Sequence, residues 1–148
     1  MVEAHQLVCP HCGTLNRVST ARPALSAKCG HCHAKLFDGQ PAEVDAAGFE
    51  RHLRSDEIPV LVDIWAPWCG PCRTMSPNFA RAAGMLEPRM RLLNLNADTA
   101  PDVTGRLGVQ GIPALFLFSQ GQVVAKTAGV MPADAIVHWA QEHLPAET

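Results

Sequence analysis

From Pro59 to Ala66 the chain is almost continuously apolar and rich in β-branched residues, broken only by Asp63. That is the pattern of a central strand covered on both faces. A second such run spans 91–96. Two further strands, 114–119 and 122–127, flank Ser119-Gln120-Gly121, a hairpin turn signal. Helical spacing fills the gaps between them. Residues 45–54 set Phe49 and Leu53 four apart behind Asp45 as an N-cap. Residues 69–87 make a long helix expected to kink at Pro77, and 100–107 a short one. The last helix, 133–143, turns Ile136, Val137, Trp139 and Ala140 inward. The order α-β-α-β-α-β-β-α predicts an α/β fold with helices on both faces of the sheet. Its closing hairpin makes that sheet mixed. Pattern alone shows four strands, with a weak signal for a fifth at 41–44.

Residues 1–40 follow neither period. They are rich in Cys, His, Gly and small polar residues, and are too few to bury enough apolar surface to offset their chain entropy. The segment therefore needs a staple. It also repeats itself, Cys9-Pro10-His11-Cys12-Gly13 being echoed by Cys29-Gly30-His31-Cys32-His33. The expected organisation is a small module at 1–40 and a larger domain at 41–148.

Composition changes this picture little: 47% hydrophobic, 18% charged and a net charge of −2 fit a globular chain without a polyanionic partner. Tyr is absent, so the core must be mainly aliphatic. Met1-Val2-Glu3-Ala4-His5-Gln6 has no basic or apolar leader character. The apolar stretch 58–68 is too short for a bilayer and holds Asp63 and two prolines. No membrane role is expected, and the expected compartment is the cytoplasm. Thiols stay reduced there, so six cysteines should serve metal binding or catalysis and not structural disulfides.

The cysteines form three C-x-x-C pairs, each by itself either a redox site or half a metal site. Context separates them. Cys69-Gly70-Pro71-Cys72 lies where a buried strand ends and a helix begins. Cys69 at that helix N-terminus meets free N–H groups and the positive end of the macrodipole, which favour a thiolate. A thiolate is the nucleophile of disulfide exchange. Cys72, about one turn deeper, can attack the resulting mixed disulfide. Pro71 costs little so early in a helix and fixes the backbone between the sulfurs.

Residues 62–73, Val-Asp-Ile-Trp-Ala-Pro-Trp-Cys-Gly-Pro-Cys-Arg, resemble the active-site segment of the thioredoxin family. Gly111-Ile112-Pro113 and Ser119-Gln120-Gly121 fall at that family's separations, and the likeness covers roughly 42–145. It implies a five-stranded sheet flanked by four helices. It also implies that Asp63 is a buried acid behind the sulfurs. An acid in an apolar strand should have a raised pKa and can exchange a proton with Cys72. By the same likeness Pro113 is cis, and Trp68, Ile112 and Gly129 line a shallow groove for substrate chains, whereas Trp65 is expected in the core. The Gly-Pro dipeptide implies a reductant. One departure stands out. The lysine that often neighbours the buried acid corresponds to Asn94, leaving the Asp63 pKa set more by desolvation alone.

The other pairs occur together as C-x2-C-x16-C-x2-C, a spacing read as a four-cysteine zinc site. Singly, these strings resemble those of disulfide oxidases and isomerases, but neither pair is expected to follow a buried strand. Turns after each pair would aim backbone amides at the sulfurs of a thiolate cage. The expected ligands are Cys9, Cys12, Cys29 and Cys32. They complete the tetrahedron and leave His5, His11, His31 and His33 outside it. With Leu36-Phe37-Asp38-Gly39 and Ala66-Pro67, this module resembles that of the zinc-binding bacterial thioredoxin 2 group.

The expected activity is reduction of protein disulfides through Cys69 as nucleophile and Cys72 as resolving thiol. The resemblance adds recycling by a flavin-dependent, NADPH-fed thioredoxin reductase. Zinc is the expected cofactor, with no organic one, and the expected state is a monomer. The zinc module is expected to be structural, partner-selecting or redox-sensing. Nucleic acid is disfavoured: Arg17, Arg22, Lys28 and Lys35 against Glu3 and Asp38 leave a surplus that a four-thiolate zinc centre cancels. The alternatives are a zinc-ribbon adaptor on a redox-inactive scaffold, and a disulfide oxidase or isomerase.

Overall fold

The computed structural model describes residues 4–21 and 23–145. Glu3 and Arg22, counted in the charge comparison above, and Met1 and Val2 lie outside the described residues.

The chain opens with an antiparallel ribbon, β1 (Ala4–Val8) and β2 (Leu15–Ser19), followed by a single 3-10 turn at Ala24–Ser26. The rest alternates: β3 (Ala42–Val44), α1 (Ala46–Ser55), β4 (Val60–Trp65), α2 (Gly70–Leu86), β5 (Arg91–Asn96), α3 (Pro101–Leu107), β6 (Ala114–Ser119), β7 (Gln122–Ala128) and α4 (Ala133–His143). The last nine make one mixed sheet of order β3-β5-β4-β6-β7 with helices on both faces. β3 and β4 run parallel to β5, while β6 and β7 are antiparallel additions. The fifth strand, weakly signalled in sequence, is the three-residue edge β3.

Strand alternation divides the core. Val60, Val62, Ile64, Leu93, Leu95, Phe116 and Phe118 face one way, toward Phe49 of α1 and Val103 of α3. Leu61, Leu92, Leu115 and Leu117 face the other, toward Met75 and Phe79 of α2 and Ile136 and Ala140 of α4. Each such fully buried side chain contributes about 1.5–3 kcal/mol. Asp63 shares its face with Leu61, so the strand's own period places the acid under α2. Asp45 caps α1 as expected, its Oδ1 accepting from the Gly48 N–H at 2.7 Å. Pro77 sits inside α2 without ending it. Gln120 and Gly121 take φ of 51° and 79°, the two left-handed residues that a tight hairpin with right-handed strand twist requires.

The ribbon corrects the expectation that 1–40 lacks strands. Its two strands are five residues each and carry His5, Gln6, Asn16 and Arg17, which blur the period of two. Cys9 directly follows β1, whose Leu7 and Val8 are buried, against the expectation that neither early pair follows a buried strand. A helix still does not follow. Gly13, at φ 79°, closes a turn on the Cys9 carbonyl at 2.9 Å and the chain reverses into β2.

The ribbon docks where β4 and β5 begin. The Glu57 N–H donates to the Gln6 carbonyl at 3.0 Å, and the Val8 N–H donates to Asp56 Oδ1 at 2.7 Å. Asp56 Oδ2 in turn meets His52 Nδ1 at 2.6 Å. Leu36 and Phe37 pack with Leu7 and Ile58. The Phe37 ring lies 4.1 Å from the guanidinium of Arg91, which is 1% exposed and pairs with Glu87 at 3.6 Å. Burial lowers the Arg91 pKa and pushes Glu87 up to about 7.

Candidate active site and metal centre

β4 ends at Trp65, and Ala66-Pro67-Trp68 turns the chain into α2, with the Cys69 N–H on the Ala66 carbonyl at 3.1 Å. Cys69 is the N-cap of α2, its Sγ accepting from the Cys72 N–H at 3.2 Å. Cys69 and Cys72 are joined as a disulfide with Cα atoms 5.3 Å apart. Gly70 and Pro71 between them are exposed. The sulfur that would carry the negative charge is therefore held by a backbone donor at a helix N-terminus.

Around this pair the loops close in. The Ile112–Pro113 peptide is cis, and the Ile112 carbonyl lies 3.8 Å from Cys69 Sγ. The Gly129 N–H donates to the Pro113 carbonyl at 2.8 Å, tying the end of β7 to that loop. Trp68 is 69% exposed, its indole N–H donating to Asp98 Oδ1 at 3.1 Å. Ile112 is half-buried, and Gly129 and Val130 are exposed.

Behind the sulfurs, Asp63 is 1% exposed and its Oδ1 has no hydrogen-bond partner. Burial, with the nearby Glu43 charge second, pushes its pKa up to about 7. Asp63 and Cys72 line one cavity of about 290 Å³ with Glu43, Trp65, Arg73 and Asn94. Two expectations change here. Trp65 is not core but half-buried at the cavity wall, its indole N–H on Glu43 Oε1 at 3.0 Å. Desolvation does dominate at Asp63, but a second acid adds to it. Glu43 and Asp98 went unnoticed in the sequence. Only the pairing of β3 and β4 with β5 puts Glu43 on Asp63's side of the sheet, and nothing local marks Asp98.

The four early cysteines converge, their sulfurs all within 4.8 Å of one another. Cys9 and Cys32 sulfurs stand 3.7 Å apart, and those of Cys12 and Cys29 3.6 Å. A tetrahedron with zinc–sulfur bonds of about 2.3 Å has edges of about 3.8 Å, so the donor set fits zinc. The two knuckles match: the His11 N–H points at Cys9 Sγ and the His31 N–H at Cys29 Sγ, each at 3.4 Å. His33 closes the second turn at φ 66°, where Gly13 closes the first. Asn16 ties the ribbon to the second knuckle, its amide nitrogen 3.5 Å from Cys29 Sγ and its carbonyl on the Gly30 N–H. The Cys32 backbone donor and the Asn16 amide lower the Cys29 thiol to about 5, whereas burial raises Cys9 to about 11. None of His5, His11, His31 and His33 belongs to the cluster among the described residues.

Comparisons agree in both halves. The Thioredoxin family model matches residues 40–142, and the model described as Thioredoxin 2, N-terminal, matches 8–34. Thioredoxin C-3 of Corynebacterium nephridii is 32% identical over 138 residues, covering 93% of this chain and 94% of that protein. Thioredoxin 1 of Chlorobaculum tepidum is 44% identical over 80 residues, covering 54% and 79%. A solved chloroplastic thioredoxin z superposes with a TM-score of 0.64 at 23% identity, over 70% of this chain and 93% of that one, a likeness of fold.

Proposed function

The chain belongs to the thioredoxin family, and from that footing we propose that it reduces protein disulfides through Cys69 and Cys72. The observation that carries this is the Cys69 sulfur at the α2 N-cap, on the Cys72 N–H.

In the reduced protein the Cys69 thiolate attacks one sulfur of a substrate disulfide. That bond breaks, a Cys69–substrate disulfide forms, and the other substrate sulfur leaves as a thiolate. Cys72 then gives its proton to the Asp63 carboxylate and attacks Cys69 Sγ. The Cys69–Cys72 bond forms as the second substrate sulfur leaves with the electron pair. Two electrons have passed to the substrate. Gly70 and Pro71 set the spacing of the two sulfurs. Trp68, Ile112, Pro113 and Gly129 form the wall against which an extended substrate segment lies. The cycle closes when a thioredoxin reductase returns two electrons to the Cys69–Cys72 disulfide.

Cys9, Cys12, Cys29 and Cys32 would hold zinc. In such a closed four-thiolate site the ion supplies a fixed crosslink and no open coordination position. The structural role is supported by the small core of 1–40, which gathers around two of the sulfurs themselves. A boundary near residue 40 is supported by the thioredoxin match, which begins at residue 40, and the N-terminal match, which ends at residue 34. Among the described residues no helix is long and apolar enough to cross a membrane. A cytoplasmic setting is supported by thiolate chemistry at all three cysteine pairs.

The test is reduction of a model protein disulfide with NADPH and a thioredoxin reductase. Cys69→Ser should abolish turnover, while Cys9→Ser should lose zinc and N-terminal order yet keep turnover. Full turnover by Cys69→Ser contradicts the proposal.

A further inference from the structure

We propose that Glu43 is the outer acid of a carboxylate pair with Asp63, positioning the proton that Cys72 gives up as it resolves the mixed disulfide. This rests on the exchange chemistry proposed above. Sheet register carries it. Glu43 pairs with Asn94, and Asn94 with Asp63, across β3, β5 and β4. Directly paired residues point to the same face, and Ala42, Val44, Val62 and Ile64 pack on the opposite one. Glu43, Asn94 and Asp63 thus form a row beneath α2, and all three line the cavity that also holds Cys72. Two strand spacings separate the outer backbones by about 10 Å. The Glu43 head is tied to the strand that carries Asp63, its Oε1 accepting the indole N–H of Trp65, two residues beyond Asp63 on β4, at 3.0 Å. Asp63 is buried with an unpartnered oxygen, while the Glu43 side chain is exposed at the cavity rim.

No cation stands in the row. On α2, Arg73 also lines the cavity, but its guanidinium donates to the Pro67 carbonyl at 3.2 Å. On the outer side of Glu43 lie His11 of the first knuckle with Cys9 and Cys12, and Lys35, Asp38 and Arg91. From α1 and its cap come Asp45, Arg51 and His52, the last committed to Asp56.

The consequence is chemical. When Cys72 attacks Cys69 Sγ, its thiol proton passes to Asp63, and the electron pair of the broken bond leaves on the substrate sulfur. An ionised Glu43 strengthens the hold of Asp63 on that proton by like-charge repulsion between the two carboxylates. It also offers an acceptor at the rim as the proton leaves for water.

Glu43→Gln removes the charge and keeps an acceptor for Trp65. The test is the pH profile of mixed-disulfide resolution, by rapid mixing of reduced protein with a protein disulfide. The acid-side midpoint should fall by about half a pH unit at low ionic strength, and the difference should collapse in high salt, since a rim charge is screened. A purely structural role gives no salt dependence. In the oxidised protein, infrared titration of the Asp63 carboxyl band should show the same fall. Superimposed profiles at low salt, or an unmoved band, overturn the pair. Asp63→Asn must remove the midpoint altogether. If it does not, the exchange chemistry assigned to Asp63 fails, and the role of Glu43 with it.

Discussion

Burying an ionisable acid beneath α2 should cost the fold stability, and that cost can be measured. Asp63 rises from the ordinary 3.8 to about 7. Each tenfold change in acid dissociation corresponds to about 1.4 kcal/mol, so the full penalty is about 4 kcal/mol. Its sign follows from linkage. Because the folded-state pKa lies above the unfolded value, the folded protein binds this proton more tightly. Stability is then whole below about pH 4 and is lost as pH rises toward about 7, with little further change beyond. Asp63→Asn carries no such charge. In urea unfolding of the oxidised proteins, the variant should match the parent near pH 4. It should exceed the parent by about 2–4 kcal/mol near pH 7, and by the same amount near pH 9. Glu87, also raised to about 7 by burial, titrates in both proteins and cancels in the difference. A stability difference that is flat across this range, or a variant less stable than the parent near pH 9, would refute the reasoning.

Further tests follow from single contacts. Asn94→Lys puts a cation between Glu43 and Asp63 and should move the acid-side midpoint of the pH–rate profile downward; superimposable curves count against it. His33→Gly relieves a left-handed non-glycine residue at φ 66° and should raise module stability by about 1 kcal/mol. Amide exchange at residues 29–36 of the zinc-loaded protein reports this, and slower exchange in the parent contradicts it. Phe37→Ala strips the face of the buried Arg91 guanidinium and should cost about 3–5 kcal/mol, against about 1–2 for Phe37→Leu. No loss for Phe37→Leu in denaturant unfolding would remove the cation–π contribution.

Much of this fold is written in residue spacing. The apolar run around Asp63 marks β4 because a strand covered twice needs no alternation. Ser119-Gln120-Gly121 marks the hairpin because few residues accept two left-handed positions in succession. The cysteine spacing marks the four-sulfur cluster because tetrahedral thiolate geometry admits few loops. What escaped depends on partners distant in sequence. β1 and β2 are too short and polar to declare a period, and exist by pairing with each other and with residues 56–57. β3 offers three residues, so Glu43 looks like a surface acid until register sets it in line with Asp63. Trp65 reads as core in a strand otherwise wholly buried. Only the fold shows its indole half-buried at a cavity wall and bonded to Glu43. The docking of Phe37 on Arg91 joins residues 54 apart and has no local signature.

The most direct measurement is capture of the mixed disulfide. In a Cys72→Ser variant the first exchange can occur and the second cannot. Reduced, zinc-loaded protein mixed with a disulfide-containing protein should accumulate a covalent adduct that peptide mass spectrometry maps to Cys69. An adduct at Cys9, Cys12, Cys29 or Cys32 instead, or none under conditions where the parent reduces that substrate, would contradict a thiolate held at the opening of α2.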